Sequence, residues 1–186
     1  MKRNVFLLLI LLLAGCATLS REQCQQGDWF GIGMTDGLGG EQASRLEQHV
    51  RACAEYGLPV DRQHYFAGRD QGLREYCRYA NAFVTGLAGS RYQHVCPPAI
   101  DATFAHYNQA AYEVYRIKQE LASVDGQISS VEDRLRDSGL SKDRRRELRQ
   151  ELRELDRRYD RLRADLHDSQ RYLEHLMDES RSRHSP

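Results

Sequence analysis

The 186-residue sequence has no excess of charge of either sign, no C-x-x-C pair and no long apolar run. Its 27 basic residues balance 27 acidic ones, so overall charge gives no reason to expect a nucleic acid partner. The unbroken apolar run from Val5 to Leu13 is shorter than the ~20 residues that a transmembrane helix needs. The widely spread cysteines make a metal centre or thiol redox chemistry a weak interpretation, and no cofactor is predicted.

The first sixteen residues have the pattern of an export signal that ends at a cysteine. Lys2 and Arg3 precede the apolar run, and Leu-Ala-Gly-Cys follows it. This ending resembles the lipobox of bacterial lipoproteins, which implies removal of residues 1–15 as a signal peptide and a diacylglycerol on Cys16. Because residue 17 is Ala and not Asp, the resemblance also implies sorting to the outer membrane, on its periplasmic side. The alternative is an ordinary signal peptide with a chance cysteine.

Four cysteines remain once Cys16 is assigned to lipid. An even number in an oxidising compartment predicts two disulfides, for which three connectivities are possible. We favour the pairing of sequence neighbours, Cys24 with Cys53 and Cys77 with Cys96. The competing interpretation is a zinc site that would use some of these thiols together with His49 or His64.

The chain changes composition at Pro97-Pro98. All five cysteines, the single Trp and 12 of the 14 Gly lie before it, whereas long charged segments with regularly spaced leucines follow. The shift predicts a Cys/Gly-rich helical domain over residues 24–100, joined to the anchor by a tether over residues 16–23.

Within this region an aromatic residue recurs three positions before a glycine, and a second small residue follows four positions later. Residues four apart share a helix face, so each segment would form a groove where another backbone can approach. A β-rich interpretation stays open, because Gly-aromatic repeats also occur in hairpin arrays. Asp28 and Asp61 are candidate N-caps. The segments are Phe30–Gly33–Gly37, Tyr65–Gly68–Gly72 and Phe83–Gly86–Ser90, and between them Leu46, His49, Val50 and Cys53 share one predicted helix face.

A set of motifs between about residues 24 and 107 resembles a family of proteobacterial lipoproteins catalogued as a domain of unknown function. Because no activity is assigned to that family, the resemblance implies an anchored domain and no catalytic residue. The motifs are Asp28-Trp29, Asp36-Gly37, His49-x-x-x-Cys53, Tyr65-x-x-Gly68-Arg69-x-x-Gly72-Leu73-x-x-Tyr76-Cys77 and Gly86-x-x-Gly89-x-x-Tyr92-x-x-x-Cys96-Pro97.

The second region has the periodicity of a coiled coil that folds back on itself. Apolar residues recur in steps of three and four from Tyr107 to Leu135 and again from Leu148 to Leu176. Facing positions such as Val131 with Leu148, or the small pair Ala110 and Ser169, have numbers that add to 279 or 280, as an antiparallel pairing requires. We therefore predict an antiparallel hairpin over residues 101–181 with a turn at residues 138–141 and a disordered tail at 182–186. Gly139 would end the first helix and Ser141 would cap the second.

The predicted turn has an excess of basic over acidic side chains. Residues 134–149 hold seven basic and three acidic side chains, whereas residues 101–133 have a net charge of −4. Arginine suits carboxylate and phosphate contacts, so this tip is a candidate interaction site. The alternative is that these charges only solvate a helix surface. The candidate residues are Arg134, Arg136, Lys142, Arg144, Arg145 and Arg146.

The predicted fold is all-α, with a small disulfide-stapled helical domain followed by the long hairpin. The favoured function is that of a membrane-anchored, non-enzymatic envelope lipoprotein whose hairpin engages an envelope protein, an anionic envelope polymer or a second copy of the chain. The alternative is a glycan-binding or hydrolytic module in the Cys/Gly-rich domain. Its candidate acid–base groups are Asp28, Asp36, His49, Asp61 and His64, with Trp29 and the tyrosines as a stacking surface.

Overall fold

The computed structural model describes residues 18–184, and this part of the chain contains seven helices and no strand. The predicted all-α fold class is confirmed, and none of the helices within residues 18–184 is long and apolar enough to span a membrane. Cys16 and the predicted signal peptide lie outside the described residues. The helices are α1 (Arg21–Gln26), α2 (Trp29–Leu38), α3 (Arg45–Ala54), α4 (Arg62–Tyr76), α5 (Tyr79–Leu87), α6 (Pro98–Leu135) and α7 (Lys142–His184).

The helices form two compact units that divide between Tyr76 and Cys77. Unit 1 holds α1 to α4 and unit 2 holds α5 to α7. The division lies upstream of the boundary expected at residue 100, because α5 packs directly on α6 and so belongs with the hairpin. The change of composition at Pro97-Pro98 therefore marks the start of α6, inside unit 2.

The segment expected to be a tether over residues 16–23 is folded from Leu19 onward. Leu19 is 5% exposed and packs in the core of unit 1, and α1 begins two residues later. Ser20 and Gln23 form a capping box, in which the Ser20 hydroxyl accepts from the Gln23 amide and the Gln23 side chain accepts from the Ser20 amide. This reciprocal cap satisfies two backbone donors and fixes the start of so short a helix.

The predicted disulfide and N-caps of unit 1 are present. Cys24 of α1 is bonded to Cys53 of α3, with 5.6 Å between their Cα atoms. Asp28 caps α2 by accepting from the Gly31 amide at 2.9 Å, and Asp61 accepts from the His64 amide at 3.0 Å at the start of α4. The disulfide closes a long loop and so stabilises this small unit against unfolding.

Helices α2 and α4 run in the same direction where they cross, and their backbones touch at two pairs of glycines, Gly33 with Gly68 and Gly37 with Gly72. A Cβ atom added to Gly33 would lie 2.0 Å from the carbonyl oxygen of Tyr65, and one added to Gly68 would lie 2.0 Å from that of Phe30. Gly37 and Gly72 meet the opposite backbones in the same reciprocal way. The small-residue grooves predicted on these two segments therefore face each other, which explains why neither helix carries side chains there.

Unit 2 is organised around the contact of α5 with α6. The second predicted disulfide, Cys77–Cys96, is confirmed. Gly86 allows close approach here, since an added Cβ would lie 2.5 Å from the Asn108 carbonyl oxygen. The side chain of Asn108 is 3% exposed and donates to Thr85 Oγ1 and to the carbonyl oxygens of Ala82 and Ser90, and it accepts from the Tyr92 amide. This buried amide joins α5, the following loop and α6.

Helices α6 and α7 form the predicted hairpin. Ile117, Val124 and Leu162 lie buried in its seam, and Val131 and Leu148 are buried nearer the turn. The register agrees with the cross-helix contacts, because Arg158 donates to Glu120 at 2.6 Å and the rings of His106 and Tyr172 meet edge to face. Helix α7 continues through residues 182–184, where a disordered tail was expected; Ser182 donates to the Glu179 carbonyl within this last turn.

The turn differs from the prediction in how α6 ends. The helix stops at Leu135, and Gly139 does not adopt a left-handed conformation, so it is not the C-terminal stop. The Gly139 amide donates instead to the Asp137 carboxylate at 2.8 Å. The Arg145 guanidinium donates to the carbonyl oxygens of Leu135 and Asp137, and this contact satisfies the helix end that a left-handed glycine usually satisfies. Ser141 caps α7 as predicted, because its hydroxyl accepts from the Arg144 amide.

Candidate functional site

A buried polar cluster in unit 1 brings together two of the predicted acid–base residues, Asp36 of α2 and His49 of α3. His49 Nε2 lies 2.8 Å from Asp36 Oδ2, and the ring is 2% exposed. The Tyr65 hydroxyl of α4 donates to the same carboxylate oxygen at 2.6 Å. On its other side, His49 Nδ1 lies 2.8 Å from the hydroxyl of Thr18. Three helices and the segment before α1 therefore meet at one imidazole ring.

The glycine crossing positions this cluster. Asp36 and Tyr65 lie on the two helices whose backbones touch at Gly33, Gly37, Gly68 and Gly72, so their side chains can meet across a narrow gap. His49 reaches the pair from α3, which the Cys24–Cys53 disulfide and the burial of Leu46 hold in place.

Hydrogen bonding assigns the protons of the cluster. An ionised carboxylate only accepts, so His49 Nε2 carries a proton toward Asp36. In the neutral ring Nδ1 then accepts from the Thr18 hydroxyl; in the protonated ring it donates to the same oxygen. Both protonation states keep both contacts, because a hydroxyl can accept as well as donate.

Asp36 and Tyr65 have shifted pKa values that follow from this arrangement. Burial favours the neutral acid at Asp36, but hydrogen bonds from His49 and Tyr65, together with the charges of His49 and Arg45, outweigh it and lower its pKa. Burial, and then the hydrogen bond to the Asp36 carboxylate, raise the pKa of the Tyr65 hydroxyl. Asp36 is thus held ionised and Tyr65 neutral, which is the pairing that keeps the cluster bonded.

The chemistry available to the cluster is limited by its burial. A general base must reach a substrate proton within about 3 Å. Both nitrogens of the His49 ring already contact protein groups, and the ring is almost fully covered. The arrangement can hold three helices and the Thr18 segment together; it leaves the ring no accessible nitrogen for a substrate.

The other candidate residues of unit 1 lie at the surface. His64 Nδ1 contacts Asp61 Oδ2 at 2.7 Å, and both side chains are well exposed. Asp61 and its neighbour Arg62 also line a wide cleft of about 500 Å3 beside Trp29. The Trp29 side chain is only 6% exposed, however, so most of its ring is unavailable for stacking. Asp28 is occupied as the cap of α2.

The arginines of the hairpin tip lie near the turn, as predicted, and most of them contact groups of the hairpin itself. Arg134 pairs with Glu151 across the two helices, and Arg145 binds the end of α6. The other pairs are local, namely Arg136 with Asp133, Arg144 with Glu147 and Arg146 with Asp143. Exposed pairs of this kind contribute only ~0–1 kcal/mol each, so they leave the arginines able to exchange partners.

Two residues of the buried cluster were not predicted from the sequence. Thr18 lies in a segment that was interpreted as a tether, and no local pattern distinguishes it. Tyr65 occupies in α4 the position that Phe30 occupies in α2, three residues before a glycine. The hydroxyl of Tyr65, which Phe30 lacks, is the one feature of the sequence that indicates a polar partner for this side chain.

No group of three or more His, Cys, Asp or Glu side chains within residues 18–184 is placed to hold a metal ion. The four cysteines of this part are paired as disulfides, which accounts for the thiols that the zinc interpretation would have used.

Comparison with known proteins gives one match, to a family model. Neither the curated proteins nor the solved structures contain a match. The matched segment extends from the cap of α2 through the rest of unit 1 and into α6. It includes the glycine crossing, the Asn108 contact and three members of the buried cluster, Asp36, His49 and Tyr65, whereas Thr18 lies before it. Residues 28–113 match the family described as a protein of unknown function (DUF2799), which confirms the predicted resemblance to a domain of unknown function over this part of the chain.

Proposed function

We propose that this protein is an outer-membrane lipoprotein, anchored on the periplasmic side through Cys16, and that it acts without catalysis by binding another envelope component through its hairpin. The lipobox-like sequence supports the anchor. The two disulfides support an oxidising compartment, because such bonds persist there and are rare in the cytosol.

The observation that carries the proposed binding role is the incompletely covered seam of the hairpin. Helices α6 and α7 have 38 and 43 residues, or about 57 and 65 Å at 1.5 Å per residue. Ile117, Val124 and Leu162 are buried along this seam, but the apolar side chains packed against them remain partly exposed. An apolar stripe that two helices cover only in part is typical of a surface that a further helix covers. These partly exposed residues are Leu121, Ile128, Leu155, Tyr159 and Leu166.

The basic tip adds charge selectivity to this surface. Its exposed ion pairs are weak, so an acidic protein surface or an anionic envelope polymer can replace the internal carboxylates at little cost. Arg145 is the exception, because it binds the carbonyl oxygens at the end of α6. We therefore assign partner contact to Arg144 and Arg146 and a structural role to Arg145.

The buried cluster of unit 1 supports a non-catalytic role. The His49 ring is covered and both its nitrogens contact protein, which suits a structural function better than proton transfer to a substrate.

Photocrosslinking in living cells tests the proposed binding role. A photoreactive residue at Leu140 should give a discrete adduct with an envelope protein, and the double variant Arg144→Gln/Arg146→Gln should reduce its yield. The matched control is Arg171→Gln/Arg181→Gln, which removes two ion pairs of the same i,i+3 geometry elsewhere on α7. Absence of any adduct, or equal loss in both double variants, would argue against a specific tip contact. Sedimentation of the detergent-solubilised protein distinguishes a second copy of the chain from a different partner.

A second candidate function is glycan binding at the cleft beside Trp29, which the exposed Asp61–His64 pair favours. Cell-wall fragments that perturb Trp29 fluorescence in the wild type but not in Asp61→Asn would support it. Unchanged fluorescence would leave the cleft without this role.

A further inference from the structure

Thr18 and Leu19, the first described residues after Cys16, are held on unit 1 by two independent contacts. The Thr18 hydroxyl is hydrogen-bonded to His49, and Leu19 packs in the apolar core beside Trp29 and Leu46. Chain termini are normally poorly ordered unless such contacts tie them down. Burial of an apolar side chain and a hydrogen bond to a buried ring both stabilise the docked position. The segment is therefore part of the folded unit and not a flexible spacer.

The contact with His49 does not depend on the protonation of the ring. The groups that face the ring or its partners are Asp36 of α2, Tyr65 and Arg69 of α4, and Arg45 of its own helix. The carboxylate holds Nε2 as a donor, and the Thr18 hydroxyl matches either state of Nδ1. The docked segment therefore keeps this contact in either protonation state of the ring.

We propose that this docking seats unit 1 directly on the lipid headgroups of the membrane in which Cys16 is anchored. Only residue 17 separates Cys16 from Thr18, and two residues span at most about 7 Å. The headgroup region of one leaflet is about 5–8 Å thick, so a reach of about 7 Å keeps the end of unit 1 at Thr18 and His49 against the headgroups. The inference rests on the proposed lipid anchor and specifies the surface of unit 1 that a bilayer covers.

Amide hydrogen exchange on the full-length protein in detergent tests the docking without reference to a bilayer. In the wild type, the amides of α1 should exchange slowly. Thr18→Val removes the hydroxyl but keeps the shape, and it should speed their exchange by about tenfold, as expected for the loss of one buried hydrogen bond. Thr18→Ser keeps the hydroxyl and should restore protection. Unprotected α1 amides in the wild type, or no change in Thr18→Val, would overturn the docking.

Energy transfer from Trp29 tests the contact with lipid. Trp29 is the single tryptophan of the chain and packs with Leu19, so it reports on the docked end of unit 1. The lipidated protein is reconstituted into vesicles of phosphatidylethanolamine and phosphatidylglycerol that contain a dansyl-labelled lipid. A Gly-Ser insertion of about ten residues between residues 17 and 18, with a root-mean-square span of about 17 Å, should lower transfer by about twofold. Equal transfer with and without the spacer would refute direct seating.

Failure of the anchor itself is distinguishable from failure of the seating. If the protein does not float with vesicles, or if the peptide containing Cys16 carries no acyl mass, the proposed anchor is wrong and the seating falls with it. If the protein floats but the spacer leaves transfer unchanged, the anchor holds and only the seating is refuted.

Discussion

Substitution of Gly68 by alanine should destabilise unit 1 strongly, because the new methyl group has no space. Its carbon would lie 2.0 Å from the carbonyl oxygen of Phe30 and 3.0 Å from the amide nitrogen of Met34. Ordinary van der Waals contact begins near 3.5 Å. The obstacle is backbone and cannot rotate away, so α2 and α4 would have to separate by about an ångström along their crossing, with loss of close-packed contacts.

The magnitude follows from two opposing effects. Alanine stabilises a helix by about 1 kcal/mol relative to glycine, whereas overpacking of a close-packed site costs typically 1–3 kcal/mol and sometimes more. With backbone on the opposing side we expect the upper end of this range, a net loss of about 3 kcal/mol. Gly126 of α6 is the matched control, since an added Cβ there meets nothing within 4 Å. Gly126→Ala should raise the free energy of unfolding of unit 2 by about 1 kcal/mol.

Two spectroscopic probes separate the units in a denaturant titration. Trp29 fluorescence reports unit 1, in which the only tryptophan is buried, and far-UV circular dichroism is dominated by the long helices of unit 2. Gly68→Ala should shift the fluorescence midpoint to lower denaturant and leave the slope similar. A neutral or stabilising effect of Gly68→Ala, of the sign expected for Gly126→Ala, would show that the two helix backbones are not in contact.

Three further predictions concern the polar contacts. Because the pKa of Asp36 is lowered in the folded protein, its carboxylate contributes stability that is present above pH 3.8 and is lost as the pH falls through the lowered pKa. Tyr65→Phe removes one of the hydrogen bonds that lower this pKa, so it should reduce the contribution and move acid unfolding to higher pH. Trp29 fluorescence follows the unfolding. Asn108→Leu should cost about 3 kcal/mol in the unfolding of unit 2 followed by circular dichroism, since it leaves several buried groups unpaired; a loss below about 1 kcal/mol would contradict the buried network. Arg145→Gln should speed amide exchange at the end of α6, because it removes the contacts with the carbonyl oxygens there. Arg146→Gln should leave this exchange unchanged, since Arg146 does not make these contacts.

Local patterns in the sequence predicted the all-α class and much of the hairpin, but not α1, which begins inside the predicted tether. Apolar spacing in steps of three and four specifies which face of a helix is buried, and two such runs of matching phase on either side of a short turn leave one antiparallel register. The seam of Ile117, Val124 and Leu162 follows from that reasoning. The end of α6 did not follow, because Arg145 reaches it from the next helix and replaces the left-handed glycine that the local pattern suggested.

The glycine motifs show where local reasoning ends. Their spacing predicted grooves on three helices, but a groove does not specify its partner. Only the folded chain decided that α2 and α4 fill each other's grooves and that Gly86 meets α6. The same holds for the domain boundary: composition changes at Pro97-Pro98, whereas packing divides the chain between Tyr76 and Cys77.

The candidate site divides in the same way. The sequence by itself favoured two disulfides over a zinc site for the four cysteines, and it gave Asp28 and Asp61 as candidate caps and Asp36 and His49 as candidate acid–base residues. Only the tertiary structure decided that His49 is buried between Asp36 and Thr18 and that Tyr65 completes the cluster. The physical reason is that hydrogen-bond partners 13 to 31 residues apart are joined by the crossing of helices, and no local period encodes that crossing.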